Sequence, residues 1–359
     1  MRNRLSIILG KSVQKIARIR GGGSALPGLF IEKVSPDFIK NTLDKLPRGV
    51  VIVSGTNGKT TTTKMIVELL ESQGLKVFTN KSGSNFVRGV AAALLENVNI
   101  KGKLDADIAV LELDEAHAVH FVKIIQPRYS LLLNVMRDQL DHTAKLLHEI
   151  GKYTTGVVVL NDDDDHLGDN EFSSDYKAKV KRFGASSEIL KFFPNDSNLH
   201  DNENIAKAAK EVRDREVVLT SFSGQTADIL WGETSHKVNL NISGIYNILN
   251  AAAAVALVRE IIIHEQLEFN QDKLISCLEN IRPAFGRGEV IEVEGVPVEL
   301  VLVKNPGGFR LSLKSFSPKN YSTMIAINDN YADGRDMSWL WDVDFSSLKE
   351  DGVSVVSGV

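Results

Sequence analysis

The stretch that most constrains the fold is residues 49–64, which read GVVIVSGTNGKTTTTK. The apolar, β-branched run at 51–53 predicts a buried strand, and a helical pattern begins at Lys59 after a short loop with two glycines. A strand, a glycine-containing loop and a helix that opens on Lys-Thr together predict a phosphate-binding loop. We therefore expect a nucleoside triphosphate site here, and the alternative is an ordinary strand-to-helix turn that contains glycine.

The loop residues have separate predicted roles in holding a triphosphate. Gly55 and Gly58 let the backbone turn so that its N–H groups face an anion. Lys59 supplies positive charge for the β- and γ-phosphates, and the Thr60 hydroxyl is placed to meet Mg²⁺. The predicted nucleotide-binding residues of the loop are Gly55, Thr56, Asn57, Gly58, Lys59, Thr60 and Thr61. The loop is shorter than the usual Walker pattern, because Val53 stands where its first glycine would fall.

The loop sequence GTNGKTT resembles that of the Mur ligase family, whose members use ATP to join an amine to a carboxylate through an acyl phosphate. Further segments are similar to the MurT members of this family: NKSGSN at 80–85, LELDE at 111–115, RDQLD at 137–141 and NDNYADGRDMSWLWDVD at 328–344. The resemblance is strongest at 49–141 and 282–344 and is weak at 165–235. A glycine-rich segment at 21–28 lies shortly before the loop, so we do not expect the large N-terminal UDP-binding domain of other Mur ligases.

This resemblance implies a function and a set of partners. It implies ATP-dependent amidation of the D-isoglutamate α-carboxylate of lipid II to D-isoglutamine, a reaction of peptidoglycan biosynthesis. ATP and Mg²⁺ would be the cofactors, and a GatD-like glutamine amidotransferase subunit would supply ammonia. Two alternatives stay open: a Mur-type ligase that adds an amino acid, as folylpolyglutamate synthase does, and a non-catalytic ATP-binding scaffold.

The composition of the whole chain restricts the number of domains, the class of partner and the cellular compartment. With 359 residues, 43% of them hydrophobic, the chain is long enough for two or three domains, and its net charge of −4 argues against a nucleic-acid partner. Its one cysteine, Cys277, excludes an internal disulfide framework and fits a reducing compartment. We interpret Cys277 as a small buried helix residue. No apolar run approaches bilayer length, and we expect a cytoplasmic protein that meets lipid II at the membrane surface.

The pattern of elements predicts an α/β fold with three parts. Strands are expected near 51–54, 75–79, 107–112, 129–133 and 156–160. Helical patterns separate them, which indicates a parallel sheet with its ligands at the carboxyl ends of the strands. Short alternating runs at 217–222, 227–231 and 238–242 indicate a small antiparallel appendage. We expect an N-terminal segment at 1–48 packed on the central domain, a Mur ligase-type ATP-binding domain at 49–282 and a C-terminal α/β domain at 283–359.

The C-terminal part is expected to be a Rossmann-like domain of the MurT type. Strands are predicted at 289–293, 297–303, 323–328 and 353–357, with a helix from about Pro306. The sequence ends soon afterwards, so we expect an incomplete C-terminal sheet. The resemblance implies that an aspartate of 328–344 orients the histidine of the partner glutaminase, as the third member of a triad does. The candidates are Asp336 and then Asp333, and carboxylates that cap turns are the alternative.

Two oxygen-bearing residues are candidates for holding Mg²⁺. Glu112 ends a predicted strand at the level of the phosphate loop, and with Thr60 and phosphate oxygens it would satisfy an ion that retains several waters. Capping of the following helix suits Asp114 better than Glu112. The resemblance places Gln139 where other Mur ligases have a histidine that helps to hold a second Mg²⁺, which puts a second ion in doubt.

Two further segments are interpreted as carrying no metal. The acidic run NDDDDH at 161–166 is expected to be a solvated loop, because consecutive carboxylates do not converge on one ion without special backbone turns. Many MurT members carry a four-cysteine zinc ribbon, but residues 181–242 contain no cysteine. A Cys₄ site is therefore excluded there, and no zinc is expected.

The remaining nucleotide contacts are predicted from a helix and a linker. GIYNILNAAA at 244–253 opens a predicted helix in which Asn247 and Asn250 share a face. The resemblance places these asparagines beside adenine, whose edge suits the donor and acceptor of an amide; polar first-turn residues are the alternative. RPAFGRG at 282–288 is a predicted domain linker. The resemblance implies that Arg287 reaches the ATP phosphates.

Residues 1–20 form a basic amphipathic stretch. Six arginines and lysines are interspersed with apolar residues, without the unbroken apolar core and cleavage site of a signal peptide. One interpretation is a helix that packs on the domain with a solvated basic face. The other places the basic face near an anionic membrane that presents a lipid-linked substrate.

Overall fold

A nine-stranded sheet with helices on both faces organises the chain. The computed structural model describes residues 2–19, 25–80, 86–136, 140–193, 214–283, 286–303, 308–309, 312–313, 322–327, 340, 343 and 345. The helices in these ranges are α1 Arg2–Ile19, α2 Ala25–Val34, α3 Phe38–Leu43, α4 Lys59–Ser72, α5 Val87–Asn97, α6 Glu115–Ile124, α7 Leu140–Tyr153, α8 Ile245–His264 and α9 Gln271–Asn280. The strands are β1 Val50–Ser54, β2 Val77–Thr79, β3 Ile108–Glu112, β4 Tyr129–Leu132, β5 Val157–Asn161, β6 Lys179–Ala185, β7 Val217–Ser223, β8 Thr226–Trp231, β9 Thr234–Asn239, β10 Arg287–Val293 and β11 Val296–Val301.

The strand order of the main sheet is β2-β3-β1-β4-β5-β6-β7-β8-β9. Every pair from β2 to β7 is parallel, and the last two pairs are antiparallel. The five predicted parallel strands are therefore confirmed, each within two residues of its expected bounds. Because β1 lies between β3 and β4, the loop after β1 meets the ends of both neighbours.

The core lies on both faces of the sheet, as the apolar runs of the central strands require. All five residues of β1 are buried, and so are all five of β3. Val51 and Val53 pack in the layer that contains α4, α8 and α9, whereas Val50 and Ile52 pack in the layer that contains α5 and α6. A strand that is apolar on both faces needs a helix layer on each side.

The predicted antiparallel appendage continues the main sheet as its far edge. β7 and β8 lie close to their predicted positions, but β9 begins at Thr234, four residues before the predicted start at 238. The reason is the turn at Gly232, which adopts φ +62° and returns the chain directly onto β8. The polar residues after this turn obscured the strand in the sequence.

Helix α8 is the central core helix of one face. It runs over Ile245–His264, as the sequence predicts, and thirteen of its residues are buried. In the described part of the chain it is the one helix that is long and apolar enough to cross a membrane by length and composition, and 72% of that window is buried inside the protein. Its apolar character is thus accounted for by contacts with α4 and the sheet.

The N-terminal helices cover one helix of the opposite face. α1 and α2 pack on each other and on α5. The approach is close, since a Cβ on Gly28 would lie 2.1 Å from the Arg88 carbonyl oxygen, and a Cβ on Gly10 would lie 2.9 Å from Leu95. Glycine at both positions lets α1 and α2 pack directly on α5.

The described C-terminal residues form a hairpin. β10 and β11 pair antiparallel, close to two of the predicted strands. The strand predicted at 323–328 is wrong for the residues described there, because 322–327 are in no regular element and no described strand pairs with them. Gly308, Phe309, Ser312 and Leu313 are helical, in line with a helix after Pro306, and the strand predicted at 353–357 lies outside the described residues.

Glu265 ties together three segments at the amino ends of the strands. It follows α8, and its carboxylate accepts from Tyr129 (2.5 Å) and pairs with Arg128 (2.9 Å) and Arg48 (2.9 Å). Burial opposes ionisation of this carboxyl, but the Tyr129 hydrogen bond and the two arginines outweigh it and lower the pKa of Glu265.

We expect Glu265→Gln to lower the free energy of unfolding at pH 7 by about 2 kcal/mol, because two arginines lose their charged acceptor. A lowered native pKa gives stabilisation that is present above the ordinary value of 4.5 and is lost as pH falls through the native pKa. The deficit of the variant should therefore shrink in acid. Urea denaturation at pH 7 and in mild acid measures both effects. Glu268→Gln, at an exposed site three residues away, is the control, and an equal loss there would contradict this role.

Candidate functional site

The phosphate loop has the backbone shape that the sequence predicts. Gly55 has φ +136° and Gly58 has φ +87°, both in the range that favours glycine. Gly58 is the N-cap of α4, so the first amides of the helix point out of the loop without intrahelical acceptors. A Cβ on Gly58 would lie 2.8 Å from the Asn250 side chain. The loop thus requires glycine here both for its φ angle and for the contact with α8.

Asn134, which follows β4, braces the loop and was not predicted as a site residue. Its carbonyl accepts from the Thr56 N–H (3.0 Å), and its side chain accepts from the Asn57 N–H (2.9 Å) and donates to the Asn57 carbonyl (3.0 Å). The Met136 N–H donates to the Thr56 hydroxyl (3.0 Å). These bonds hold the first half of the loop in place. The position of Asn134 just after a parallel strand beside β1 was the signal available in the sequence.

Lys59, the first residue of α4, points back over the loop. Its ammonium donates to the Gly55 carbonyl (2.5 Å) and pairs with Glu115 Oε1 (2.9 Å), and both side chains are largely buried. Glu115 lies in the LELDE segment, but no pattern in the sequence connects it with Lys59. A phosphate that approaches Lys59 therefore competes with a carboxylate for the same ammonium.

The two predicted metal ligands are adjacent. The Thr60 hydroxyl donates to Glu112 Oε1 (2.8 Å), and Glu112 is buried at the end of β3. Asn80 fixes the backbone of Glu112 through two hydrogen bonds, one to its carbonyl (2.8 Å) and one from its N–H (3.0 Å). Two hard oxygen atoms beside a phosphate loop fit Mg²⁺, which needs few protein ligands when phosphate and water supply the rest. Asp114 is the N-cap residue of α6 as predicted, but its side chain makes no capping hydrogen bond.

An open cleft lies beside the loop. Its walls include the apolar side chains of Phe183, Phe193 and Leu249, which suit a flat ring. Asn250 also lines it, while the Asn247 amide donates to the Ser243 carbonyl (2.6 Å). Tyr246, which was not predicted, also lines the cleft, and its buried hydroxyl has no hydrogen-bond partner among the described residues. An orphaned hydroxyl in an apolar cleft fits a ligand with polar edges.

The prediction that 161–166 is a solvated loop is wrong for its first four residues. Asn161, Asp162, Asp163 and Asp164 are buried, whereas Asp165 is exposed. Their partners explain this difference, because the folded chain brings cations and N–H groups to carboxylates that the sequence shows only as a run.

The three buried aspartates of this run each have charged or N–H partners, and two of them share Arg215. Asp162 pairs with Arg215 (2.8 Å) and Arg182 (3.3 Å), and Asp163 pairs with Arg215 (2.8 Å). Burial raises the pKa of Asp163 to about 6, although Arg215 opposes the shift. Asp164 accepts three backbone N–H bonds, including one from Val135 (2.8 Å). The run therefore attaches the end of β5 to β6, to the segment before β7 and to the segment after β4.

Several predicted site residues are not described. Asp333, Asp336 and the first three residues of the motif at 137–141 lie outside the described residues. Arg287 is the first residue of β10, but its side chain is likewise not described. The linker before it is attached to the loop helix, since Lys64 of α4 donates to the Pro283 carbonyl (3.2 Å).

Comparison with known proteins identifies relatives along the whole chain. A family model described as the Mur ligase middle domain matches residues 53–258, and one described as the MurT ligase C-terminal matches residues 302–359. The chain is 30% identical to the lipid II isoglutaminyl synthase (glutamine-hydrolyzing) subunit MurT of Streptococcus pneumoniae, over 98% of this chain and 82% of that protein. It is 28% identical to the subunit of the same name from Staphylococcus aureus, over 99% of this chain and 84% of that protein.

The fold has solved counterparts as well. The crystal structure of MurF ligase from Thermotoga maritima in complex with ADP matches with a TM-score of 0.56 and 20% identity. The match covers 80% of this chain and 60% of that ligase, so the chain spans about three fifths of the ligase's length. At this identity the likeness concerns the fold alone.

We expect Gly58→Ala to destabilise the protein more than Gly74→Ala. Both residues have nearly the same φ (+87° and +89°), but a Cβ at Gly74 meets nothing within 4 Å, whereas one at Gly58 meets Asn250. The strain of a positive φ should cost each variant about 1 kcal/mol, and the Asn250 contact should add about 1 kcal/mol to Gly58→Ala alone. Urea denaturation of these variants in native and Asn250→Ala backgrounds isolates that contact. If Asn250→Ala gave Gly58→Ala no relief, the contact would be unimportant.

Proposed function

Because this chain belongs to the Mur ligase family and is one of its MurT members, we propose that it is the synthetase subunit of an enzyme that amidates lipid II. The reaction converts the α-carboxylate of the D-isoglutamyl residue into the amide of D-isoglutamine, as part of peptidoglycan synthesis. The observation that carries this proposal is the meeting of Lys59, Thr60 and Glu112 at the mouth of one phosphate loop.

The chemistry proceeds through an activated carboxylate. When bound, MgATP supplies the phosphoryl group that turns the substrate carboxylate into an acyl phosphate, from which ammonia then displaces phosphate. This route splits one difficult displacement into two easier ones. The protein's contribution is to position the reactants and neutralise charge.

Each predicted nucleotide-binding or metal-binding residue has a place in this scheme. Lys59 and the first amides of α4 hold the β- and γ-phosphates, and Thr60 with Glu112 holds Mg²⁺. The cleft takes the adenine, with Asn250 and Tyr246 at its polar edges and Asn247 behind Asn250. Arg287, at the start of β10, reaches the phosphates from the linker. Gly55, Thr56, Asn57, Gly58 and Thr61 shape the loop. No zinc takes part.

Ammonia comes from a second protein in this proposal. Glutamine hydrolysis needs a nucleophile, and burial raises the pKa of the chain's single cysteine, Cys277, to about 11. A thiol with that pKa is protonated at neutral pH. A GatD-like glutamine amidotransferase subunit therefore supplies the ammonia, and Asp336 or Asp333 orients its catalytic histidine.

The proposed substrate determines where in the cell the protein works. Lipid II is membrane-bound, so the protein works in the cytoplasm at the inner membrane surface. In this proposal the chain has three parts: an N-terminal segment at 1–48, an ATP-binding domain at 49–282 and a C-terminal domain at 283–359 that faces the partner.

Glu115→Gln tests the competition for Lys59. We expect MgATP to bind up to about fivefold more tightly, a change of roughly 1 kcal/mol, because the phosphates no longer displace a carboxylate. Isothermal titration calorimetry measures this, with Glu71→Gln on the exposed part of α4 as the matched control. Weaker binding by Glu115→Gln would instead make Glu115 a ligand of the metal or nucleotide.

Lys59→Ala should keep the fold and abolish ATP turnover.

Asp336→Asn tests the link between the two proposed active sites. In the complex with the glutaminase subunit, we expect glutamine-driven amidation to fall about 100-fold or more and ammonia-driven amidation to change little, because only glutamine hydrolysis needs the oriented histidine. Amide formation on lipid II with each nitrogen source gives the comparison. Thr60→Ala should stop both reactions. An equal fall in both reactions of Asp336→Asn would place this residue in the synthetase site or in folding, and a selective loss in Asp333→Asn alone would move the role to Asp333.

A further inference from the structure

Helix α1 has one face fixed against the protein. Ile7 and Ala17 are buried on α2 and α5, and Gly10 lies against Leu95. Two hydrogen bonds set the rotation of the helix, from Lys11 to the Glu96 carbonyl (3.2 Å) and from Gln14 to the Ala92 carbonyl (3.3 Å). The opposite face of α1 therefore points away from α2 and α5.

That opposite face is apolar. Its large side chains are exposed by 45–77%: Leu5 62%, Ile8 49%, Leu9 45%, Ile16 53% and Ile19 77%. At about 100° per residue they fall within an arc of roughly 100° along the whole helix. We call these five residues the α1 stripe. The described residues leave it uncovered, and an apolar stripe of this length usually marks an interaction site.

Basic side chains border the stripe on one side. Arg4 and Lys15 are exposed, and Lys11 lies on the same side of the helix. An apolar face with a basic border is the composition of a helix that lies in the surface of an anionic bilayer. Lysine and arginine near such a surface are attracted to its lipid head groups, while leucine and isoleucine enter the acyl boundary. The α1 stripe and its basic border therefore form one combined apolar and basic surface.

A second copy of the chain fits this surface less well. In a helix pair the contacting positions would run from Leu5 through Ile8, Ser12 and Lys15 to Ile19, which places a hydroxyl and a charge in the middle of the seam. Five partly exposed side chains also fall short of the roughly 800 Å² per partner of a standard protein interface. A bilayer tolerates both features, because Lys15 can extend to the head groups.

We infer that the α1 stripe and its basic border form a membrane-docking surface for anionic phospholipids. The surface would hold the protein on the bilayer that carries its substrate, an advantage that rests on the proposed function. Binding of the surface to lipid does not itself need ATP, a partner protein or lipid II. Failure of docking and failure of the ligase proposal can therefore be observed separately.

Flotation of the full-length chain with lipid vesicles tests this inference. We expect binding to vesicles of equal parts phosphatidylglycerol and phosphatidylcholine, and at least about tenfold weaker binding to phosphatidylcholine alone. Ile8→Ser with Ile16→Ser should reduce binding by about tenfold or more, because each change removes several methylene equivalents from the acyl boundary. Lys15→Glu should reduce it about fivefold or more, and only for anionic vesicles.

The matched control is Ile263→Ser, at the end of α8, because Ile263 and Ile16 are both 53% exposed. It should bind vesicles as the native chain does, and all variants should retain MgATP binding if they are folded. Absence of binding to anionic vesicles, equal binding to both lipids or an equal loss in Ile263→Ser would overturn the inference. So would a dimer in sedimentation equilibrium that the Ile8→Ser, Ile16→Ser variant abolishes, since the α1 stripe would then join two copies.

Discussion

The insertion of β1 between β3 and β4 is the constraint on which the site depends. Both faces of these strands are buried, so polar groups can gather only where the strands end. Register then decides which groups meet: Val53 pairs with Glu112, which sets that carboxylate beside the loop that follows β1. On the other side, β4 delivers Asn134 to the same loop. The phosphate loop is therefore shaped by its neighbours in the sheet as much as by its own glycines.

Charge is arranged around this loop in two ways. On one side of the loop, Glu112 accepts a hydrogen bond from the Thr60 hydroxyl, and its backbone is held by Asn80. On the other side, Lys59 has a carboxylate partner in Glu115. A triphosphate with its metal ion would bring a cation to the first carboxylate and an anion to the lysine. Binding would thus exchange one set of ionic contacts for another, and its net free energy would be smaller than the number of contacts suggests.

What the sequence predicted correctly was local, and what it missed was distant. The strands near β1, the α8 helix and the glycine turns of the phosphate loop follow from short patterns in which each residue constrains its neighbours. Asp162 looked solvated because Arg182 and Arg215, which neutralise it, are 20 and 53 residues away. The pairing of Lys59 with Glu115 across 56 residues was hidden for the same reason. The early start of β9 was missed because residues 234–237 are all polar, and only their pairing with β8 after the turn at Gly232 shows them to be a strand.

The two ends of the sheet also bear on how the protein behaves when it is concentrated. In the described part of the chain the edge strands are β2, which has only three residues, and β9. An open edge offers unpaired N–H and C=O groups to strands of other molecules, and aggregation starts at long, flat and apolar edges. β2 is too short to act as a template, and β9 alternates buried residues with exposed polar ones that include Lys237. A large parallel core is thereby protected from edge-to-edge association by the lengths and sequences of its own edge strands.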